Sequence, residues 1–327
     1  MTRFLAFFLT FFTVSAIAAD SLVIYSGRGE ALVAPLFAQF EKDTGIKLDV
    51  RYNATSSLAT QLLSEKQNSP ADIIFFQESG YLTLLAEAGL LKTLNTDLLK
   101  QVASHAQDAN GRWLGSSARV RVLAYNTDKI KPEDLPKDLK ELADPKWSGK
   151  KIGWAPTNAS MQSHVSALRK LWGEDETFKW LEGVKNNDPI SYPKNAPLVT
   201  AVGTGEVLVG WANHYYLHIL KKQNPNLAVA NYHFPESGKA GNILIISGVA
   251  VSAHTKKSAQ AEQFINYLIS EQGQKFFTDS FEYPTRIGFA ANPIVTPLSE
   301  IPFADVSQKD LADVEPTLKM LRTLKLL

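Results

Sequence analysis

The sequence contains no cysteine. That absence excludes disulfide staples and thiolate metal sites, and it excludes the lipid-modified cysteine that anchors an exported lipoprotein. Any metal must therefore be held by oxygen or nitrogen. Long runs of Lys and Arg are also missing, and the formal net charge is +1. Nucleic acid is not an expected partner, because a phosphate backbone calls for concentrated basic surface. No low-complexity stretch or internal repeat is evident. With 45% hydrophobic and 20% charged residues, the composition is globular, neither disordered nor fibrous. No glycine-rich phosphate loop, Ser-His-Asp arrangement or paired-acid motif stands out.

At 327 residues the chain exceeds one small core, and two lobes are expected. Arg3 precedes an apolar run from Phe4 to Ile17, and Ala16-Ile17-Ala18-Ala19 supplies small residues for cleavage. Residues 1–19 therefore read as a secretory signal peptide, too short for the roughly 20 residues of a membrane span. Its removal takes Arg3 and leaves 33 basic against 33 acidic residues. A soluble periplasmic protein, not a lipoprotein, is the expectation.

Beyond the signal, short apolar runs alternate with amphipathic segments, the pattern of an α/β protein. Strands are expected at Ser21–Tyr25, Lys47–Tyr52, Asp72–Phe76, Lys151–Trp154, Val207–Trp211 and Ile243–Ser252. Helices are expected over Glu30–Thr44, Thr55–Lys66, Tyr81–Ala88, Ser160–Trp172, Ala259–Ile269 and Gln272–Phe277, and from Asn213 onward. Ala118–Tyr125 alternates Arg119, Val120, Arg121 and Val122, and is the candidate hinge strand between lobes. A ligand cleft is then expected at the lobe interface.

The chemistry concentrates at Asn213-His214-Tyr215-Tyr216, where a predicted strand gives way to a helix. Phenolate is a hard anionic oxygen donor whose pKa near 10 requires a strongly acidic metal to displace its proton, which suits Fe(III) better than Ca(II) or Mg(II). From spacing alone, the pair could equally be cleft or packing aromatics. His214 and His218 have the i, i+4 spacing of a zinc pair, but no third ligand accompanies them.

Several stretches resemble the periplasmic ferric-ion-binding proteins, the transferrin-like substrate-binding components of bacterial iron ABC transporters. They are Tyr25-Ser26-Gly27-Arg28-Gly29-Glu30, Phe40-Glu41-Lys42-Asp43-Thr44-Gly45-Ile46, Pro70-Ala71-Asp72-Ile73, Ala86-Glu87-Ala88-Gly89-Leu90-Leu91, Arg119-Val120-Arg121-Val122, Asn213-His214-Tyr215-Tyr216 and Glu282-Tyr283-Pro284. The resemblance runs in order along nearly all of the mature chain. It implies a two-lobed type II periplasmic-binding-protein fold with hinge strands and an interdomain cleft. Residues 20–121 with about 246–296 would form the N-terminal lobe, and about 122–245 with 297–327 the C-terminal lobe. It further implies Fe(III) as cargo, Tyr215 and Tyr216 as ligands, a monomer, and delivery to an inner-membrane permease and its ATPase.

The match departs from the family at three ligand positions. A first-turn His would fall at Gly29, a Glu after the third strand at Gln77, and a third tyrosine near Ala159 or Ser160. Two tyrosines cannot fill a six-coordinate ferric site. Water, an exogenous anion such as carbonate or phosphate, or Glu78 or Gln77 would complete it. The anion would balance the charge that two phenolates leave on Fe(III). Arg28 lies in a Gly-flanked turn before a helix, a favourable place for an anion, and Arg119 and Arg121 share one face of their strand. The resemblance puts Arg121 near the anion, matches Thr157, Asn158, Ala159 and Ser160 to its binding loop, and matches Asn195 and Asn213 to anion-binding or supporting positions. Each arginine could instead close a salt bridge across the hinge. Two other functions remain open on the residues: a binding protein for a small anion or organic solute in the same fold, and a metal-dependent hydrolase, for which no general base beside a nucleophile is recognisable.

Overall fold

The computed structural model describes residues 21–236 and 239–327; the expected signal peptide, residues 1–19, lies outside the described residues. In chain order the elements are β1 (Leu22–Ser26), α1 (Glu30–Thr44), β2 (Leu48–Tyr52), α2 (Thr55–Glu65), β3 (Ile73–Phe76), α3 (Gly80–Glu87), α4 (Thr96–Leu99) and β4 (Leu114–Asn126). Then follow β5 (Ile152–Trp154), α5 (Ala159–Trp172), α6 (Glu174–Asn186), β6 (Ile190–Ser191), α7 (Asn195–Thr204), β7 (Val209–Asn213), α8 (Tyr215–Gln223) and β8 (Val229–Tyr232). The chain closes with β9 (Leu244–Val251), α9 (Ser258–Ile269), α10 (Glu271–Asp279), β10 (Tyr283–Pro284), α11 (Gln308–Ala312) and α12 (Val314–Thr323).

Local sequence explains the main elements. Val33, Leu36, Phe37 and Phe40 recur at helical spacing and form the buried face of α1, which ends at Gly45 in the left-handed region at φ 73°. All four residues of β3, Ile73-Ile74-Phe75-Phe76, are buried, as expected of a strand covered on both faces.

The 13-residue β4 organises the whole sheet. Sheet order is β2-β1-β3-β9-β4-β7-β5-β6, with β8 and β10 also pairing with β4. Its first part, Leu114–Val120, runs antiparallel to β9, and its second, Arg121–Tyr125, antiparallel to β7. Each half carries its own core. On one side Phe264 meets Phe37 and Phe40 edge-on, with ring centroids 5.4 and 5.1 Å away. On the other, Trp154, Trp180, Trp211 and Leu168 pack with Leu321 of α12. The expected hinge strand is thus longer than Ala118–Tyr125, and the Ile243–Ser252 run returns to the first half as β9.

Near its start β9 has β4 on one flank only, because β3 reaches it from Gly248 onward. Other groups fill the gap. Ser79 N–H donates to the Ile246 carbonyl at 2.9 Å, while the Gln308 amide accepts from Ile246 N–H at 3.2 Å and donates to the Leu244 carbonyl at 2.9 Å. Gln308 opens α11, which lies against both α3 and α5 and so touches both halves.

Two expectations shift by about two residues. The strand expected at Val207–Trp211 is Val209–Asn213, and the helix expected from Asn213 begins at Tyr215. Asn213 therefore sits in the sheet, opposite Arg121.

His164 of α5 is buried against Trp211, ring centroids 4.3 Å apart, with Nε2 on the Ala240 carbonyl. Burial first, then the charge of Arg121, hold its pKa well below 6.5. An unfolded histidine takes up a proton near pH 6.5 and this folded one does not, so folding stability is full above pH 6.5 and falls as the pH drops below it. This group contributes a loss of about 1.4 kcal/mol per pH unit. Denaturant midpoints at pH 7.5 and 5.0 should fall less for His164→Gln than for the parent protein; parallel losses would refute the assignment.

Candidate functional site

The tyrosine pair is presented by the end of β7. His214, between strand and helix, is buried, and both ring nitrogens are engaged: Nδ1 accepts from Val120 N–H at 3.1 Å and Nε2 donates to the Phe281 carbonyl at 2.8 Å. Burial pushes its pKa down to about 3, so it is a neutral bracket between β4 and the Phe281 loop, with no nitrogen left for zinc. Tyr215 and Tyr216 follow, ring centroids 4.4 Å apart and planes tilted by 33°. Burial and the adjoining Tyr215 push the Tyr216 phenol well above its usual range, while Arg119 pulls the other way.

The opposite wall follows β3. Glu78 is 1% exposed; its Oε1 accepts from Arg119 Nη2 at 3.1 Å, and its Oε2 has no hydrogen-bond partner. Arg119 also donates to the Gln77 carbonyl at 2.6 Å and to Ser247 Oγ at 2.8 Å. Arg28 forms a buried ion pair with Glu282, donating from Nη1 to Oε2 at 2.9 Å, and also reaches Ser117 Oγ at 3.1 Å and Ser247 Oγ at 2.8 Å. Burial would raise the Glu282 carboxyl, but the charge and hydrogen bonds of Arg28 outweigh it and leave the pKa below its usual value.

Arg121 differs from the other two arginines. It donates to Asn213 Oδ1 at 2.9 Å and to the Trp211 carbonyl at 2.7 Å, but no carboxylate among the described residues pairs with it. Burial, reinforced by Arg119, lowers its pKa to about 9. A fully buried guanidinium without a counter-charge is costly and marks a place where negative charge would be welcome.

These walls enclose a cleft of about 470 Å3 lined by Tyr216, Gln77, Glu78, Thr157, Asn158 and Ala159 among others. Asn158 caps α5 by accepting from Ser160 N–H at 3.0 Å. Ser160 Oγ accepts from Asn213 Nδ2 at 3.3 Å and, from across the cleft, from Gln77 Nε2 at 3.5 Å. Asn195 Nδ2 lies 3.5 Å from Asn158 Oδ1, and its own Oδ1 has no partner. Most of the residues singled out from sequence are thus assembled around one space. Arg119 and Arg121 stand directly behind it. Arg28 does not line it, and both of its terminal nitrogens bond wall residues; here the salt-bridge alternative describes the geometry.

Sequence reasoning missed Thr55, Ser163 and Lys194, which also line the cleft. Ser163 lies three residues after Ser160 on α5, a helical repeat that offered a signal; Thr55 and Lys194 had none. Among the described residues no group of three or more His, Cys, Asp or Glu side chains could hold a metal ion. A metal in this cleft must therefore draw on phenol oxygens.

A sequence profile of the bacterial extracellular solute-binding proteins matches residues 25–275, and the chain belongs to that family. Among its relatives, the Fe(3+)-binding periplasmic protein of Serratia marcescens is 36% identical over 92% of this chain and 90% of its own length. The major ferric iron-binding protein of a serogroup A strain of Neisseria meningitidis is 28% identical over 94% of each. The structure of iron-bound HitA from Pseudomonas aeruginosa superposes with a TM-score of 0.87 at 36% identity, covering 93% of this chain and 99% of that one. The two-lobed binding-protein fold expected from the sequence is therefore the fold observed.

Two glycines of the first turn have opposite steric demands. A Cβ on Gly27 would lie 2.3 Å from Thr55 Oγ1, whereas one on Gly29, at φ −60°, meets nothing within 4 Å. Gly27→Ala is expected to cost about 1–3 kcal/mol of stability. Gly29→Ala should be neutral or stabilising by up to about 1 kcal/mol. Thermal melts of the two variants side by side check the contrast, and equal losses would contradict it.

Proposed function

We propose that this chain is a periplasmic ferric-ion-binding protein that captures Fe(III) in the cleft and delivers it to an inner-membrane ABC permease and its ATPase. The observation that carries the reading is the tyrosine pair packed ring against ring at a cleft that also holds a buried carboxylate oxygen without a partner. Tyr215 and Tyr216 as phenolates and Glu78 through Oε2 supply three negative charges, which match a trivalent cation. Gln77, turned toward Ser160, is a neutral neighbour and not a ligand.

A synergistic anion such as carbonate or phosphate completes the coordination. Its receiving groups are Thr157, Asn158 and Ser160 at the start of α5, with Asn195 and Asn213 beside them, and its charge offsets that of Arg121. The start of a helix favours an anion because its amides point outward and its dipole is positive there. Arg119 orients Glu78, and Arg28 braces the wall behind it.

The lobes are residues 20–121 with about 246–296, and about 122–245 with 297–327, closing on the metal like two jaws hinged at β4. The protein acts as a monomer, exported by residues 1–19, and performs no chemistry on its cargo. The names of the Serratia and Neisseria relatives, both of which specify ferric iron, support this reading. So does the family, whose members bind extracellular solutes.

Loading the purified protein with ferric iron should produce a visible phenolate-to-iron charge-transfer band. The double variant Tyr215→Phe with Tyr216→Phe should abolish it, and an undiminished band would sink the assignment. Glu78→Gln should weaken iron binding by about tenfold or more. Because iron must displace phenol protons, affinity should decrease as the pH falls, and iron should leave on acidification; a flat pH profile between 8 and 5 would contradict phenolate ligation.

A further inference from the structure

The cleft is larger than its proposed contents. At roughly 30 Å3 per water, a space of about 470 Å3 accommodates roughly 15 waters, whereas a ferric ion with one carbonate or phosphate displaces only a few. The volume instead falls in the range of small-molecule sites.

The lining beyond the tyrosines is arranged to accept negative oxygen. Thr55, 3% exposed, and Ser163, 1% exposed, line the cleft, and their hydroxyl oxygens have no partner. They stand on different elements, Thr55 opening α2 and Ser163 in the first turns of α5. Three helices start at cleft-lining residues without a side-chain cap: α1 after Gly29, α2 after Ala54 and α7 after Lys194. Elsewhere the chain does cap its helices, with Ser270 before α10 and Ser307 before α11. An uncapped helix start leaves amide donors seeking an acceptor. Lys194 adds an ammonium at the rim.

We propose that the cleft takes up iron as its complex with a small hydroxypolycarboxylate. The metal end of the complex meets Tyr215, Tyr216 and Glu78, and the free carboxylates are received by the starts of α1, α2 and α7, by Thr55 and Ser163, and by Lys194. The inference rests on the ferric reading above and replaces a lone mineral anion with an organic chelator that travels with the metal.

Citrate serves as the probe. Protein loaded with ferric citrate carrying a radiolabel, then passed through gel filtration, should retain about one citrate per iron, with iron followed by the visible band. Iron retained at full stoichiometry with citrate left behind would overturn the proposal while leaving the ferric reading intact. No band from either ferric citrate or iron supplied with bicarbonate would remove the ferric reading itself. Ser163→Ala combined with Lys194→Gln should lower the affinity for ferric citrate about tenfold more than the affinity for iron supplied with bicarbonate. Equal losses from the two sources would assign these side chains to the wall alone and overturn the proposal. Lys194→Gln by itself, at an exposed position, repeats the comparison if the double variant folds poorly.

Discussion

Three guanidinium groups and two carboxylates are buried together where β4 passes from one half of the sheet to the other. Arg28 and Arg119 are matched by Glu282 and Glu78; Arg121 has only neutral partners. Buried charges are tolerated when paired and hydrogen-bonded, so this cluster dictates its surroundings. Ser117 and Ser247 are drawn in as bridging hydroxyls, the Gln77 carbonyl is pinned, and Glu78 is held with one oxygen bonded and the other free. The residual positive charge sits beside the tyrosines, where it favours phenolate over phenol. An anionic donor set and a buried cation excess are thus two sides of one electrostatic arrangement.

The backbone supports the same end. Bonds between β7 and β4 set Asn213 opposite Arg121, and His214 fastens the following residue to both Val120 and the Phe281 loop. The tyrosines therefore enter the cleft from a bracket fixed at three points. Such anchoring limits the reorganisation needed when a metal arrives, which is how a preformed site gains affinity. Gln77 reaching Ser160 supplies a weak link between the facing walls, a contact that a bound ligand can replace at little cost.

Much of this was legible in the sequence, for identifiable reasons. Alternating Arg119-Val120-Arg121-Val122 marked the crossing strand because charge and apolar side chains must face opposite ways. The paired tyrosines stood out because adjacent phenols on one helix start are hard to place in an ordinary core. Other parts were obscured. The helix α6 does repeat Thr177, Trp180, Leu181 and Val184 at helical spacing, but it opens on Glu174-Asp175-Glu176 and is polar overall, and it was passed over. The helix α7 carries Pro197 and Gly203, which argue against a helix locally and are outweighed by packing. Arg28 looked like an anion ligand from its glycine-flanked turn; its partner Glu282 lies 254 residues away, a pairing no local pattern reveals. Thr55 and Lys194 likewise became cleft residues only through tertiary folding.

The Gln308 side chain, set against β9, has a consequence for the chain's behaviour at high concentration. A strand with vacant hydrogen-bonding positions on one flank is a template for pairing with another molecule, the first step toward aggregation. By bonding Ile246 N–H and the Leu244 carbonyl, one carboxamide imitates the missing neighbour and closes that template. The C-terminal segment is, in this sense, a colloidal safeguard: it protects an exported protein from its own copies in a compartment where it must accumulate to be useful.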